Sequence, residues 1–425
     1  MKILIVNKFL FPKGGSETYS LNLGRELENS GHKVQYFGME DPKRVVGNQA
    51  GSYTSSMDFH TGKLQKLLYP FKIIYSVEAR RKIRVVLDGF KPDIVHLNNF
   101  NFQITPSVIY EIRSWGKRNG KYIPIVYTAH DYQWVCPDHM LYIPHKKEIC
   151  FACRGGKYGA CFQNKCIHNS AIKSMLGMIE AGLYRRLGVY GQVDAVICPS
   201  EFMKKMLGTN PCLKDKLTVM HNFIDYKEDG AGEKFPAKKD YVLYFGRYDQ
   251  EKGIASLVEA CRQLPHIPFL FAGSGEYEKI LHTCGNIKNV GFQKGDGLRR
   301  LIGEAKFTVF PSEWYENCPF SVMESQACGT PVIASRIGGV PELLEDGVTG
   351  ELFEPGNVEE MRNKISSLWD NSGKLAVYTE NCRKKKFITA KEYGEMAVSL
   401  YKNLGSKGNS LGCLADGRQK RGKNE

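Results

Sequence analysis

The stretch that most constrains the fold is residues 312–335, which read SEWYENCPFSVMESQACGTPVIAS. It begins as a polar loop. Pro319 then stands where a helix can start, because the first turn of a helix does not use the N–H group that proline lacks. Residues 320–323 supply apolar positions for this helix, and Gly-Thr-Pro at 329–331 ends it. The apolar residues 332–334 follow as a buried strand, so the stretch predicts a loop, a helix and a strand.

Two glutamates with seven residues between them mark this stretch, Glu316 and Glu324. The predicted elements place Glu316 in the loop before the helix and Glu324 about one turn inside it. The N–H groups at the helix start lie between them and suit a phosphate, while a carboxylate further in can accept hydrogen bonds from a ribose diol. Two glutamates at this spacing are also common by chance. In that alternative, Glu316 is solvated and Glu324 lies on an outer helix face.

Two predicted strands of the first half are followed by candidate site residues, glycines after one strand and a histidine after the other. Both lie at the sheet edge where open α/β sheets bind ligands. Gly14 and Gly15 come between the first strand and the first helix, where they either allow a close approach to a phosphate or form a tight turn. His130 ends the predicted strand 124–129. A lone histidine there is often structural, but we expect His130 in the active site, with Asp131 orienting its imidazole or contacting a substrate.

The second half begins with a predicted strand at 241–245, followed directly by Gly246 and Arg247 and, after a short loop, by Lys252. Two cations held where a strand leads into a helix can bind a diphosphate, and a guanidinium can do so through two hydrogen bonds. The alternative is a pair of surface charges on a turn.

Two further strand ends in this half are candidate nucleotide contacts. Gly273 and Gly275 form a glycine turn after an apolar strand, and Phe292 follows another strand end where a base could stack.

Three segments around the two glutamates, taken together, resemble a known family. Residues 310–312 read FPS, 324–331 read ESQACGTP and 338–343 read GGVPEL. They resemble the donor site of retaining glycosyltransferases of family 4, and the resemblance extends over residues 1–400. It implies an α/β protein with the GT-B fold, in which two Rossmann-like domains face each other across a cleft.

The resemblance also implies roles for individual residues. Arg247 and Lys252 would bind the donor phosphates, Glu324 the ribose and Glu316 the sugar hydroxyls. The implied catalytic residues are His130, Arg247, Lys252 and Glu316. The implied donor-binding residues are Gly14, Gly15, Gly246, Arg247, Lys252, Gly273, Gly275, Phe292, Glu316, Pro319, Phe320, Ser321 and Glu324.

The predicted organisation has two main domains, and 42% apolar residues can fill two cores. Residues 1–225 form an N-terminal acceptor-side Rossmann-like domain. A charged, glycine-rich linker spans 226–239, and the nucleotide-sugar-binding domain spans 240–385. A C-terminal helix at 386–403 crosses back to the first domain, and the tail 404–425 is predicted to be disordered.

The N-terminal domain carries a cysteine-rich insert at 136–168. Its cysteines Cys150, Cys153, Cys161 and Cys166 could form a tetrahedral thiolate site, for which zinc is the expected metal. The spacing between the two pairs is shorter than in ordinary zinc ribbons. A structural zinc, free thiols that pack the insert, and a redox site all remain open. We expect no cofactor for catalysis.

Charge is concentrated in the first half: residues 1–200 hold 27 Lys and Arg against 15 Asp and Glu, whereas the remainder holds 32 against 30. This excess of positive charge predicts an acidic partner such as anionic lipid headgroups, lipid-linked phosphate or nucleic acid. The alternative is that the basic surface only keeps the protein soluble. Residues 63–88 form a basic amphipathic stretch that suits either a membrane surface or a core-packed helix. The first strand starts too early for a signal peptide, so we expect a cytoplasmic protein with reduced thiols, in peripheral contact with the inner face of the membrane.

The predicted function is transfer of a sugar from a nucleoside-diphosphate sugar to a glycan or lipid-linked acceptor in cell-surface polysaccharide biosynthesis. The sequence contains no Asp-x-Asp pair, so cationic side chains and helix dipoles would neutralise the diphosphate without a metal. The resemblance implies front-face attack with retention. The alternatives are a sugar-nucleotide epimerase of the same fold and a zinc-containing nucleic-acid-binding protein. The latter needs a basic, aromatic platform, and we expect no nucleic-acid partner.

Overall fold

Two runs of alternating strands and helices build the molecule, each around its own parallel sheet. The computed structural model describes residues 1–55, 74–101, 104–224 and 236–420, with the backbone alone over 407–420. The predicted α/β class with two domains is confirmed.

The first sheet has six parallel strands in the order β2–β1–β3–β4–β7–β8. Its strands are β1 (Lys2–Val6), β2 (Lys33–Phe37), β3 (Ile94–Leu97), β4 (Ile125–Thr128), β7 (Ala195–Cys198) and β8 (Leu217–Val219). The central strands read as continuous apolar runs because helices cover both faces. The strand order reverses between β1 and β3, so the carboxyl ends of these two strands flank a crevice suited to ligands.

Among the described residues of the first half, six α-helices and a small hairpin accompany this sheet. The helices are α1 (Gly15–Asn29), α2 (Val77–Phe90), α3 (Ser107–Arg118), α4 (Gly159–Gln163), α5 (Ala171–Arg186) and α6 (Glu201–Leu207). The hairpin strands β5 (Tyr142–Ile143) and β6 (Glu148–Ile149) lie in the cysteine-rich insert together with α4. Of the predicted amphipathic stretch, residues 63–73 lie outside the described residues. Residues 77–88 lie in α2, which buries Ile83 and Leu87 in the core.

The second sheet is also parallel, with the order β11–β10–β9–β12–β13–β14. Its strands are β9 (Lys239–Arg247), β10 (Phe269–Ser274), β11 (Ile287–Asn289), β12 (Ala305–Phe310), β13 (Val332–Ser335) and β14 (Gly350–Phe353). Numbered from its own first strand, this is the order 3-2-1-4-5-6 of dinucleotide-binding folds. The order reverses between β9 and β12, which brings their carboxyl ends to one crevice.

In the part of the second half that the structure describes, eight α-helices follow the strands. They are α7 (Ile254–Arg262), α8 (Glu278–Leu281), α9 (Gly295–Glu304), α10 (Phe320–Ala327), α11 (Val340–Leu343), α12 (Val358–Asp370), α13 (Ser372–Lys384) and α14 (Ala390–Lys420). The stretch 312–335 forms the loop, helix and strand that its sequence predicts, since α10 starts directly after Pro319 and β13 starts at Val332.

The last helix, α14, returns to the first domain. Tyr393 shares a hydrogen bond of 2.9 Å with the Tyr19 hydroxyl, and the Tyr401 hydroxyl lies 2.5 Å from His96 Nδ1. The helix continues through Lys420, beyond the position where the sequence predicts the disordered tail 404–425 to begin. Leu404 explains the first part of this difference, because it packs against the apolar cluster between α1 and α14. Residues 421–425 and the linker residues 226–235 lie outside the described residues.

Within the described ranges, the structure contains no helix with the length and apolar character that a membrane span requires.

Candidate functional site

The centre of the candidate site is a buried ion pair between Lys252 and Glu316. The Lys252 Nζ lies 2.5 Å from Glu316 Oε1, which also accepts hydrogen bonds from Ser312 Oγ at 2.7 Å and Trp314 Nε1 at 2.8 Å. Burial alone would raise the pKa of Glu316, but Lys252 and these two donors outweigh burial, so the pKa lies below its usual range. Glu316 is therefore an anion, held rigidly by three partners.

The backbone around this pair is packed too tightly for side chains. Gly253, directly after Lys252, has φ +70°, and a Cβ there would lie 1.9 Å from the Pro311 carbonyl oxygen. Gly338 has φ +58°, and its Cβ would lie 2.1 Å from the Glu316 carbonyl oxygen. Only glycine combines this conformation with so close an approach. Gly253 thus brings the turn after β9 against the loop after β12, and Gly338 brings the segment after β13 against that same loop. This packing places Lys252 on Glu316.

Arg247 ends β9, the strand that leads into the turn carrying Lys252. Its guanidinium pairs with Asp249 and lies 3.5 Å from Glu251 Oε1, while 63% of the side chain stays exposed. Gly246 precedes it in the same strand, and Gly273 in β10 lies opposite Gly246 in the sheet register. Gly275 follows β10 against the Tyr248 backbone. The structure therefore groups these predicted residues at the carboxyl ends of β9 and β10.

Phe292 lies after β11 and is 72% exposed. The backbone next to Phe292 is held by a hydrogen bond that Gly273 N–H donates to the Gly291 carbonyl oxygen at 3.0 Å. An exposed aromatic ring at a strand end provides a free face for stacking, and its role in binding a base stays a prediction.

Two contacts bring the two domains together around the start of α10. Pro319 precedes this helix and Phe320 begins it. A Cβ on Gly15 would lie 3.4 Å from the Phe320 ring, so the Gly14–Gly15 turn of the first domain faces the start of α10. Asn317 Nδ2 donates to the His130 carbonyl at 2.8 Å. Ser321 is half-buried in the first turn, whose N–H groups have no partner within the helix.

Further along, Glu342 of α11 accepts hydrogen bonds from the backbone N–H groups of Glu201 and Phe202, at 2.7 and 2.9 Å. These N–H groups start α6 in the first domain, so a carboxylate of one domain caps a helix of the other.

Glu324 occupies a separate hollow. It lines a cavity of about 380 Å³ between α1 and the α9–α10 region, together with Asn22, Arg25 and Arg299. Burial raises the pKa of Glu324, and Arg299 opposes this rise. The walls of this cavity do not include Arg247 or Lys252. The expected placement of one glutamate before the helix and one inside it is met, but the two carboxylates face different surroundings.

A wider groove of about 650 Å³ lies elsewhere on the second domain, lined by Arg262, Thr283 and Lys288 among others. It lies at the amino ends of β10 and β11, the edge opposite to the one where parallel α/β sheets bind ligands. We therefore do not assign it to the site.

His130 follows β4 and faces the cleft from the first domain. Burial lowers its pKa to about 4, although Asp131 opposes the shift, so the imidazole is neutral at pH 7. Its Nε2 lies 2.9 Å from Asn98 Oδ1. In the tautomer with the proton on Nε2, Nδ1 is a free acceptor.

The prediction that Asp131 orients the His130 imidazole is wrong. Asp131 Oδ2 lies 3.3 Å from His139 Nδ1, and its Oδ1 accepts the Gln133 N–H at 3.0 Å. Asn98 holds His130 instead, because the carboxyl end of β3 lies beside that of β4 in the sheet. The sequence did not reveal this partner, because Asn98 is distant from His130 in the chain and the sequence does not show that β3 and β4 are neighbours in the sheet.

The cysteines of the insert lie close together in a small apolar core. Cys153, Cys161 and Cys166 are buried with Ile143, Tyr158 and Ala181, and Cys150 packs at the edge. Burial, the largest cause, and neighbouring thiols raise the pKa of Cys153 to about 12, whereas a hydrogen bond with Cys161 lowers the pKa of Cys166. Among the described residues, no group of three or more His, Cys, Asp or Glu side chains is arranged to hold a metal ion. The structural zinc therefore stays a prediction.

Four contributors to the site were not predicted as such. Ser312 and Trp314 hold Glu316, and Asn317 reaches the His130 carbonyl across the cleft. Lys8 follows β1 at the crevice of the first sheet. Burial is the largest cause that lowers its pKa to about 8, and the neighbouring charge of Lys13 is the next. The position of Lys8 directly after a strand was the one signal that could have identified it. The other three lie within the stretch 312–335, but only their side-chain directions reveal the contacts.

Comparisons with known proteins cover nearly the whole chain. A family model described as Glycosyltransferase Family 4 matches residues 13–228, about half of the chain. A second model, described as Glycosyl transferases group 1, matches residues 225–385. An uncharacterized glycosyltransferase of Methanocaldococcus jannaschii is 30% identical over 202 residues, which cover 46% of this chain and 55% of that relative. The chain spans about half the length of such curated relatives or less.

Solved structures share the architecture at low sequence identity. Sucrose-phosphate synthase from Thermosynechococcus elongatus superposes with a TM-score of 0.67 at 20% identity, covering 96% of this chain and 99% of that one. The Anabaena protein HepE, solved in complex with UDP and glucose, superposes with a TM-score of 0.63 at 18% identity, covering 95% and 99%. At this identity the likeness concerns the fold alone, and it confirms the predicted GT-B arrangement.

Proposed function

This protein belongs to glycosyltransferase family 4, and we propose that it moves a sugar from a nucleoside-diphosphate sugar to a glycan or lipid-linked acceptor, with retention of configuration. The observation that carries the proposal is the buried Lys252–Glu316 pair at the switch point of the second sheet. Such a pair is costly to bury. Its position, where parallel sheets bind nucleotides, supports a role in binding the donor.

The donor diphosphate would lie over Arg247 and Lys252. Arg247 is exposed, and its present partners are carboxylates in its own turn. A diphosphate offers a stronger partner because it carries more charge and can accept two guanidinium hydrogen bonds. Lys252 would then share its three N–H groups between phosphate oxygen and Glu316.

The sugar would lie between Glu316 and the first domain. Only Oε1 of Glu316 takes part in the hydrogen bonds described above, so Oε2 is the oxygen that we assign to sugar hydroxyls. The neutral His130 would offer its Nδ1 lone pair from the opposite side. Glu324, in its own cavity, would accept hydrogen bonds from the ribose if the nucleoside extends along α10.

Catalysis would rest on preorganised charge rather than on a protein nucleophile. As the bond between the sugar and the donor diphosphate breaks, negative charge grows on the departing phosphate beside Lys252 and Arg247, which lowers the barrier. In front-face attack, the acceptor hydroxyl forms the new bond on the same face and its proton passes to the departing phosphate oxygen. We assign no step to a metal.

The acceptor side is the first domain, whose sequence carries most of the net positive charge. Charge of this sign supports an acidic or lipid-linked acceptor in cell-surface polysaccharide assembly, at the inner face of the membrane.

A panel of nucleoside-diphosphate sugars tests the donor proposal by thermal stabilisation of the full chain. A true donor at one hundred times its Kd should stabilise the fold by about 2.7 kcal/mol. Turnover should then need an acceptor, and the product anomer should match the donor anomer by NMR. Conversion of the donor without acceptor would instead indicate an epimerase, and absence of stabilisation by any member of a broad panel would contradict the proposal.

A further inference from the structure

Helix α5 exposes a row of large apolar side chains on the side opposite to its buried face. Ile172, Met175, Ile179, Leu183 and the following Leu187 are between 39% and 69% exposed. We call these five residues the α5 stripe. At 3.6 residues per turn they fall within an arc of about 120° along one side of the helix. A helix on the surface of a soluble domain normally has the opposite arrangement, so the stripe needs a partner.

The opposite face of α5 is fixed against the domain. It buries Ser174, Gly177, Ala181 and Tyr184. A Cβ on Gly177 would lie 2.5 Å from the Ile167 side chain, so the helix approaches the insert as closely as a glycine allows. The helix therefore cannot rotate to bury its stripe without opening this contact.

The charges on α5 are basic wherever they reach solvent. Lys173 and Arg186 are exposed near its two ends, while Glu180, its only acidic residue, is partly buried. Burial raises the pKa of Glu180 to about 7, although His139 opposes the rise, so even this carboxylate carries a reduced charge at neutral pH. The exposed face of α5 thus combines an apolar stripe with cationic ends.

The helix that carries the stripe interacts with residues near His130. Glu180 of α5 interacts electrostatically with His139, whose Nδ1 is 3.3 Å from Asp131 next to His130. This interaction links α5 to the first-domain side of the site.

We propose that the α5 stripe is the surface by which the first domain binds an anionic lipid bilayer. Apolar side chains that enter the interfacial region, flanked by lysine and arginine that reach the headgroups, are the chemistry of such a surface. The excess of Lys and Arg in residues 1–200 complements an anionic membrane. The proposal deepens the proposed function, since it brings the acceptor side to a lipid-linked acceptor.

A second copy of the chain is a less suitable occupant. A symmetric antiparallel pairing of two α5 helices would bring Lys173 of one copy beside Arg186 of the other, at both ends. These like charges would repel each other, whereas anionic headgroups attract both residues.

The experiment is co-sedimentation of the full chain with phosphatidylcholine vesicles, with and without phosphatidylglycerol. The wild type should bind the anionic vesicles, and binding should weaken with added salt. The double substitution Ile179→Glu/Leu183→Glu should lower the partition coefficient at least about tenfold. The substitution Lys173→Glu/Arg186→Glu should abolish the preference for anionic vesicles.

The matched control is Val377→Glu, at an apolar position of α13 that is 58% exposed and lies on the second domain. It should bind vesicles like the wild type. Thermal stabilisation by the donor, measured without vesicles, should persist in every stripe variant, so a failure of the membrane proposal and a failure of the donor proposal give different results. The membrane proposal is overturned if the wild type ignores anionic vesicles or if the stripe variant binds them normally. A dimer in ultracentrifugation that the stripe variant abolishes, without vesicle binding, would assign the stripe to self-association.

Discussion

The carboxyl ends of the two sheets meet at the cleft, and they present different chemistry. On the second domain the groups are ionic: Lys252 and Glu316 form a buried pair, and Arg247 lies beside them. On the first domain two buried histidines near the strand ends are neutral. Burial lowers the pKa of His130 to about 4 and that of His96, with hydroxyl partners on both ring nitrogens, to about 3.

This difference suggests a division of work. A departing diphosphate needs fixed positive charge, which the second domain provides through the side chains of Lys252 and Arg247. A sugar and an acceptor hydroxyl need acceptors and donors without strong charge, which neutral imidazole and amide groups provide. Each of the following predictions tests one side of this comparison.

The largest expected effect is on the ionic side. Lys252→Met should lower kcat about a thousandfold, equivalent to about 4 kcal/mol, because it removes preorganised charge from the departing phosphate. Since the substitution leaves Glu316 buried without its cation, Lys252→Met/Glu316→Gln serves as the folded companion variant. Steady-state kinetics give the measurement. Lys364→Met is the matched control, because Lys364 pairs at 3.1 Å with the buried Glu351, and it should retain turnover. Near-normal turnover in both Lys252 variants would contradict the proposal that Lys252 stabilises the charge on the departing phosphate.

The second effect concerns the backbone that brings the ion pair together. Gly253→Ala should lower the free energy of unfolding by about 2–3 kcal/mol, because its Cβ meets a carbonyl oxygen at 1.9 Å and its φ is +70°. The control is Gly31→Ala on the first domain, where φ is +82° but no atom lies within 4 Å. Denaturant titration compares the two. Equal costs would mean that conformation alone, rather than the close approach, constrains Gly253.

Glu324 should have a smaller effect. Glu324→Ala should raise the donor KM about tenfold, about 1.4 kcal/mol, with little change in kcat, because a ribose contact is made equally in the ground and transition states. Kinetics at varied donor concentration measure this. Glu380→Ala on the exposed face of α13 is the control. A loss confined to kcat would place Glu324 at the reacting centre instead.

The smallest effect is on the neutral side. Folded His96 does not take up a proton above about pH 3, whereas an unfolded histidine does so near pH 6.5. Stability is therefore complete above pH 6.5 and falls as the pH decreases below it, by about 1 kcal/mol from His96 between pH 7.5 and 5.5. Urea unfolding at both pH values measures this loss, and His96→Gln should reduce it. The control His266→Gln, on an exposed loop of the second domain, should leave it unchanged. An unaltered pH dependence in His96→Gln would contradict the neutral assignment.

Much of this could be predicted because the relevant signals are local. The family prediction is confirmed, and the loop, helix and strand of 312–335 form as their sequence indicates, since proline and glycine act on their own backbone. The grouping of Arg247 with Lys252 also follows from the chain, because they lie in one turn. The contact between His130 and Asn98 does not, because it depends on which strands are neighbours.

The exposed stripe of α5 shows the same limit from another direction. Its sequence reads as an ordinary helix, with apolar residues on more than one side. The buried side is set by the contact between Gly177 and Ile167, because the side chain of Ile167 leaves no room for a Cβ at position 177. The burial of the thiols in the insert likewise follows from how the hairpin and α4 fold together.

The sequence by itself determined the family, the alternation of strands and helices, and the residue types at the strand ends. Periodicity and turn chemistry act over a few residues, so they can be recognised without coordinates. Only the tertiary structure decided that Lys252 pairs with Glu316, that Asn98 rather than Asp131 holds His130, and which face of α5 meets solvent. Partners distant in the chain become neighbours through sheet order and close packing, and their burial then sets which groups are charged.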